Sequence, residues 1–307
     1  MRIRQAAFIG NHAMLKGALH CHTTRSDGKG EPDEVIRYHK KNGYNFMALT
    51  DHRRYNYENF APETEMLIIP GMEIDKNLPS EGGVHCFHTV VIGHEKENGN
   101  PYAQDQRVES GTVADQFEFQ KDLDKYHAEN QLTLYCHPEW SSTPAREFEK
   151  LTGNFGMEIW NSGCVIENEM DTNAAYWDEL LHQGIHIGGV ATDDGHAMYQ
   201  HCRGWVRVNA EKNVESVLEA LKNEAFYSSC GPEIYDFYVE DGQAVVECSP
   251  CAKIAFHSFR YPLPCEVEEK GTLTRLTCKL KDNMPYIRAT VVDKDGNRAW
   301  TNPIYLK

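Results

Sequence analysis

The sequence predicts an α/β fold over residues 1–231, followed by a small β-sandwich-like module over residues 232–307. Three observations carry this reading. Short apolar runs of strand length alternate with helix-like runs up to about residue 230. No helical pattern follows Glu224. From Ile234 onward apolar and polar residues alternate around Asp-Gly turns. Strands that alternate with helices imply a largely parallel sheet, open or closed into a barrel.

In chain order, NFMALT (45–50), MLIIP (66–70), HTVVIG (88–93), LTLYC (132–136), GMEIW (156–160) and IHIGGVA (185–191) read as short buried strands bounded by Gly, Asn or Pro. Pro32 to Asn42 reads as a helix, because it starts with Pro and acids and stops before Gly43. Thr112 to Glu129, Glu167 to Gln183 and Asn213 to Glu224 also carry helical patterns. In the C-terminal module, YDFYVEDGQAVVEC turns at Asp241-Gly242 and IRATVVDKDGNRAW at Asp295-Gly296.

Composition narrows the function classes. Acids outnumber bases 46 to 31, for a formal charge of −15, a field that repels long nucleic acid. Mean hydropathy is −0.60, and no apolar run approaches the roughly 18 residues of a membrane helix. The start, MRIRQAAFIGNHAMLKG, lacks the apolar core and cleavage site of a signal peptide, so a cytoplasmic setting with reduced thiols is expected. Cys248 and Cys251 form a CxxC, but no second close pair accompanies it, so the ten Cys read as free thiols in or near a β core.

The 15 His are the unusual feature. In His20-Cys21-His22, alternate side chains of a strand share a face, so two imidazoles can grip one ion. Asp27 follows in a Ser-Asp-Gly turn. Thr50-Asp51-His52 and Gly71-Met72-Glu73 each follow an apolar run, and His85-Cys86-Phe87-His88 enters one. Cys136-His137-Pro138 and Asp193-Asp194-Gly195-His196 end two more. Each alone is equally well a capping or solvated residue. The same event repeated at strand after strand has no such account, since strand ends are where α/β folds place active-site groups.

Taken in order, HxH, SDG, TDH, GxE, an isolated His, His-Pro and DxH resemble the PHP (polymerase and histidinol phosphatase) family of metal-dependent phosphoesterases, over His20 to His196. GWVRVNA, FYSSCGPEI and the β stretch beyond are more loosely similar to carbaryl-hydrolase-like metallohydrolases. The resemblance implies a distorted (β/α)7 TIM-like barrel with up to three divalent metal ions, Zn, Mn or Fe. It places His20, His22, Glu73 and Asp194 on a first ion, and Glu73, His88 and His137 on a second. Asp27, His52 and His196 fall to a third, with Asp27 standing where many relatives have His. His85 competes with His88, which has the family's spacing to Gly93; Asp194 completes the DxH pattern better than Asp193. Asp51, Asn161 and Asp193 become candidates for orienting ligands.

His20, His22, Glu73, His137, Asp194 and His196 are thereby the candidate catalytic residues. The expected reaction is attack of a metal-bridged hydroxide on a small phosphomonoester or nucleotide. Arg25, Arg53, Arg54, His201 and Arg203 lie beside the motifs and are candidates for holding substrate, as are Trp140 and Trp160 for stacking on a ring. His12, His39, His127, His182, His186 and His257 have no motif context and read as structural or surface residues. Alternatives are a carboxylic ester or carbamate hydrolase using the same metals, an exonuclease or oligonucleotide phosphodiesterase, and a non-catalytic binding protein. No membrane partner is expected, and oligomeric state is open.

Overall fold

The structure is a computed structural model that describes residues 2–10, 14–80, 83–94, 101–172, 174–259 and 262–306. The first strand, β1 (Arg2–Arg4), is followed by β2 (Met14–Ala18), α1 (Pro32–Lys41), β3 (Phe46–Met47), β4 (Leu67–Ile68), β5 (Gly71–Ser80) and β6 (Gly83–Ile92). Next come α2 (Gln116–Ala128), β7 (Leu132–Tyr135), β8 (Asn154–Asn161), α3 (Ser162–Asn168), α4 (Ala175–His182), β9 (Gly188–Thr192), β10 (Trp205–Asn209) and α5 (Val214–Lys222). The remainder is all strand: β11 (Phe226–Ser229), β12 (Ile234–Glu240), β13 (Gln243–Cys251), β14 (Lys253–His257), β15 (Cys265–Val267), β16 (Leu273–Lys279), β17 (Tyr286–Val292), β18 (Arg298–Thr301) and β19 (Ile304–Tyr305). Among the described residues, no helix is long and apolar enough to cross a membrane.

The fold is mixed α/β, but its strands do not close into one barrel. They form a four-stranded sheet β1-β12-β13-β16, a five-stranded sheet β5-β6-β7-β8-β9, and a ten-stranded sheet running β15-β14-β17-β18-β11-β10-β2-β3-β4 with β19 beside β17. Among the strands of the described residues, β2-β3-β4 and β7-β8-β9 are parallel and the other pairs antiparallel. The expected parallel alternation fails between β5 and β6, where Ser80 pairs with Gly83. A parallel neighbour needs a crossover of about a dozen residues, and a turn this tight enforces an antiparallel hairpin. The parallel halves still face each other. Leu15, Leu19, Phe46 and Val206 from one sheet share a core with Val90, Ile92, Leu134 and Val190 from the other. The opposite face of the five-stranded sheet carries Phe87, Val91, Tyr135, Met157 and Ile159 against Phe119, Leu123, Trp177 and Leu180 of α2 and α4. That period-2 division buries both faces, which is why these strands read as apolar runs.

Two isolated bridges join the sheet margins, His52 to Glu73 and Cys21 to Gly195. Glu73 N donates to Thr50 O (3.1 Å) and Asp194 N to His20 O (3.1 Å). Every backbone group in these seams belongs to one of the motifs singled out above, so the seams gather the candidate site.

Helix boundaries follow local chemistry. α1 begins with a reciprocal Glu31/Glu34 capping box and Pro32, and ends at Gly43 with φ +80°. α2 starts later than expected because Val113 N donates to Asn77 O, so 112–113 are spent pairing with β5; Asp115 then caps the helix. The single helix expected over 167–183 is two, α3 and α4. Glu169 (φ +58°) and Asp171 (φ +56°) stop the first, and Asp171 accepts bonds from Glu139 N and Trp140 N.

The C-terminal strands pack as a sandwich, with Phe237, Val239 and Val246 of one sheet against Ile254, Phe256, Ile287 and Val291 of the other. Asp241 (φ +50°) and Gly242 (φ +75°) make the β12-β13 turn. Pairing crosses residue 231: β1 pairs with β12, and β11 with β18. Arg288, 1% exposed, reaches from β17 to a two-pronged bond with Asp178 of α4. Cys248, Cys251 and Cys278 are buried in the sandwich core.

Candidate metal centre

All nine proposed ligands converge on one place. His20 and His22 extend past β2, His52 past β3, His137 past β7, and Asp194 and His196 past β9, while Glu73 and His88 sit on β5 and β6. Asp27 is carried in by a turn whose Gly28 lies against the backbone of His22, where a Cβ would fall 2.7 Å from His22 C. The two Nε2 atoms of His20 and His22 are 3.2 Å apart. Asp194 Oδ1 lies 3.2 and 3.0 Å from them. Glu73 Oε1 is 3.4 Å from His20 Nε2 and Oε2 3.3 Å from His22 Nε2. Glu73 Oε1 also meets His88 Nδ1 (2.8 Å) and His137 Nε2 (3.2 Å), and Oε2 meets His52 Nδ1 (2.9 Å). Asp27 completes the set at 3.5 Å from His52 Nε2, 3.4 Å from His196 Nε2 and 3.6 Å from His22 Nδ1.

These contacts fit a divalent ion better than a hydrogen-bond network. Glu73 Oε2, Asp194 Oδ1 and His52 Nδ1 are buried and make no hydrogen bond of acceptable direction, although nitrogen and oxygen atoms surround them. Lone pairs that converge without donors between them face a common point. Separations of 3.0–3.4 Å between His20, His22, Glu73 and Asp194 match the ~3.3 Å edge of a tetrahedron with ~2.0–2.1 Å bonds. The donors are imidazoles and carboxylates, a set suited to Zn, Mn or Fe.

The electrostatics agree. Burial works against charge on His22, yet Asp194 and Glu73 prevail and hold it up to about 9. His88 is likewise pushed up to about 10, with Glu73 overcoming burial. Burial would raise Glu73 and Asp194, but the facing imidazoles hold both well below the usual carboxylate range. The buried acids demand positive charge, which protons supply in the metal-free chain and a cation would supply in their place.

Glu158, on β8, was missed by the sequence reading. It is buried, and its Oε1 accepts from His20 Nδ1 (2.7 Å) and Thr192 Oγ1 (2.6 Å). Its Oε2 accepts from His137 N and from Asn161 Nδ2, both at 2.9 Å. A proton on His20 Nδ1 leaves the Nε2 lone pair facing the cluster. The available signal was one acid inside the apolar run GMEIW, which cannot be buried without partners. The other orienting candidates are in place: Asn161 donates to Asp194 Oδ2 (3.0 Å), and Asp51 accepts from Thr23 and Ser26. Of the competing pairs, His88 meets Glu73 whereas His85 turns to Glu147 (2.9 Å). Asp193 points away to Ser162 and the 202–204 backbone.

The cluster floors a pocket of about 270 Å³ whose wall includes Lys29, Trp140, Cys164, Glu167, Ala197 and Gln200. Of the residues expected to hold substrate, Trp140 is in that wall, whereas Arg25, Arg53, Arg54, His201 and Arg203 are not. Arg25 lies over Phe60 and pairs with Asp105. Arg53 pairs with Asp75, Arg54 with Asp105, and Arg203 Nε donates to Tyr199 O. His201 is buried behind the cluster rather than at its mouth. Arg53 directly follows His52, but its left-handed backbone (φ +54°) carries the side chain to Asp75 instead. Trp160 packs near Trp300, and Trp140 stands beside His137 at 5.1 Å between ring centres. Of the His without motif context, His39 is buried, His182 meets Phe259, His186 stacks on Tyr305, and His12 lies outside the described residues.

Fold and site together define a mixed α/β protein with a candidate metal centre at its strand ends. The profile of the PHP domain family matches residues 18–227, and the chain belongs to that family. Over 82 residues it is 34% identical to the 5'-3' exoribonuclease of Haemophilus influenzae, covering 25% of this chain and 28% of that one. The chain thus matches little more than a quarter of that relative's length. Among solved structures, it is similar to a two-domain protein from Bacteroides vulgatus containing a predicted PHP-like metal-dependent phosphoesterase, at 15% identity and a TM-score of 0.49, over 98% of this chain and 97% of that one. An amidohydrolase from Chromobacterium violaceum with bound sulfate and no metal is 14% identical, at a TM-score of 0.39, over 59% of this chain and 87% of that one.

Proposed function

We propose that the nine converging residues hold up to three divalent ions and that the site hydrolyses a small phosphoester, a phosphomonoester or nucleotide. His20, His22, Glu73 and Asp194 would share one ion, Glu73, His88 and His137 a second, and Asp27, His52 and His196 a third. The observation that carries this reading is the pair of buried carboxylates, Glu73 and Asp194, one oxygen of each (Oε2 and Oδ1) facing imidazoles without a hydrogen bond. Bound ions there supply a nucleophile at neutral pH and stabilise charge on the phosphoryl oxygens. The protein's part is positioning. Glu158 sets the tautomer of His20, Asn161 leaves Asp194 Oδ1 free toward the His pair, and Ser141 Oγ, 3.1 Å from His137 Nδ1, turns that ring. Lys29 gives the pocket wall a cation for an anionic substrate, and the pocket's size suits a small one.

A wall of Trp140, Ala197 and Cys164 with no arginine among the described lining residues favours one second reading, hydrolysis of a carboxylic ester or carbamate. Metal-loaded protein assayed on p-nitrophenyl phosphate, an aryl N-methylcarbamate and a 5'-phosphorylated oligonucleotide separates the readings. Phosphate release is expected. Turnover of the carbamate alone replaces the leading reading with the second, and shortening of the oligonucleotide alone moves the substrate to nucleic acid ends.

A further inference from the structure

Behind the pocket lies a second cluster that the catalytic reading does not use. Cys21 points away from His20 and His22, and Cys21, His39 and His201 bring ligand atoms within 4.8 Å of one another. All three are buried, at 0%, 0% and 2% exposure. Cys21 Sγ is 3.8 Å from His201 Nδ1, and the His39 and His201 rings meet edge-on at 5.2 Å. The half-buried Cys202 also contacts His39. The four residues come from the end of β2, the last turn of α1 and the loop after β9.

Two buried ring nitrogens here, His39 Nε2 and His201 Nε2, have no hydrogen-bond partner. His39 Nδ1 is committed to Val35 O at 2.9 Å, so in the neutral ring the Nε2 lone pair faces the cluster. Asp193 Oδ2 stands 3.5 Å away, at ion-pair distance but without a short hydrogen bond to this nitrogen. Its two oxygens already accept from Ser162 Oγ and from the backbone N–H groups of Cys202, Arg203 and Gly204. An ion here would take one nitrogen of each ring, Nε2 of His39 and, beside Cys21, Nδ1 of His201. Space for His201 is built in: a Cβ on Gly195 would fall 2.2 Å from His201 Nδ1.

We propose that Cys21, His39, His201 and Cys202 hold a structural divalent ion of the Zn(II) type, separate from the catalytic ions. Two sulfurs and two nitrogens are the donor set of structural zinc and are unsuited to Mg or Ca. The 3.8 Å between Cys21 Sγ and His201 Nδ1 is near the ~3.6 Å edge of a tetrahedral site with such bonds. As the two metal–sulfur bonds form, each thiol releases its proton to solvent, and no redox change occurs. The ion would pin α1 and the 196–204 loop to the end of β2, holding His20, His22, Asp194 and His196 in place. This inference does not depend on the substrate class.

Cobalt tests it, because the nine catalytic ligands include no thiolate. Metal-stripped protein saturated with Co(II) is expected to show a sulfur-to-cobalt charge-transfer band in the near ultraviolet. The band should weaken in Cys21→Ser, vanish when Cys202→Ser is added, and persist in Cys136→Ser, which alters the thiol nearest the catalytic His20. Absence of the band in saturated wild type, or its loss in Cys136→Ser instead, overturns the proposal. Should Cys21→Ser not fold, zinc-edge X-ray absorption of the wild-type zinc form decides. Sulfur scatterers at ~2.3 Å support the site, and a shell of nitrogen and oxygen alone overturns it.

Discussion

Glu158 touches no proposed ion, yet it fixes the orientation of His20 and the backbone of His137. Glu158→Gln keeps the volume but weakens the bond to His20 Nδ1. Metal affinity or turnover is expected to fall about 10–100-fold, as for other partners of metal ligands, with the fold retained by circular dichroism. Unchanged metal affinity and turnover would deny it that role. His85 and His88 give a sharper contrast. His88→Ala should abolish turnover, whereas His85→Ala should leave it close to wild type, since His85 pairs with Glu147 away from the pocket. At the Ser-Asp-Gly turn, Gly28→Ala drives a methyl into the His22 and Thr23 backbone at 2.7 Å. Overpacking of that kind costs about 1–3 kcal/mol, read as a lower melting temperature. The metal motifs were legible because each combines a residue type with a strand end. Glu158 was not, because an acid in an apolar run shows that it needs partners without naming them. The arginines expected beside substrate lie outside the pocket wall, as Arg53 shows: it follows His52 in sequence but turns to Asp75.

At the scale of elements, β5 and β6 show what periodicity leaves open. The second was legible in HTVVIG, but the strand read over 66–70 stopped short of β5, and the direction of the pair depends on a turn with no room for a helix. The break between α3 and α4 depends on Asp171, whose carboxylate serves a loop more than 30 residues away in sequence. Long-range bonds of this kind leave no periodic trace. The junction of α5 and β19 carries a pH prediction. Burial pushes Glu224 up to about 7, with the Tyr305 hydroxyl (3.3 Å) opposing only in part. The folded state therefore binds this proton more tightly than the unfolded state, whose value is near 4.5. The stability it contributes is full below pH 4.5 and is lost as pH rises toward 7. Glu224→Gln should match wild type at pH 4 and exceed it at pH 8, by on the order of 1–3 kcal/mol in denaturant unfolding. Equal stability at both pH values contradicts the assignment.

For the whole molecule, the C-terminal strands are joined to the rest by sheet pairing and by the buried Arg288–Asp178 contact. Removing the Arg288 side chain strands Asp178 and opens space under Trp177, so Arg288→Ala should cost about 3–5 kcal/mol. The excess of acids also takes on meaning at this scale. A charge of −15 opposes long polyanions, while the buried carboxylates of the pocket draw cations in and let it receive a small anion. The central claim is that His20, His22, Glu73 and Asp194 are the core of a metal centre. Anomalous diffraction from crystals grown with manganese tests it most directly. The account predicts a peak within ~2.0–2.3 Å of His22 Nε2 and an Asp194 oxygen. A map with manganese elsewhere and none between these four side chains would contradict it.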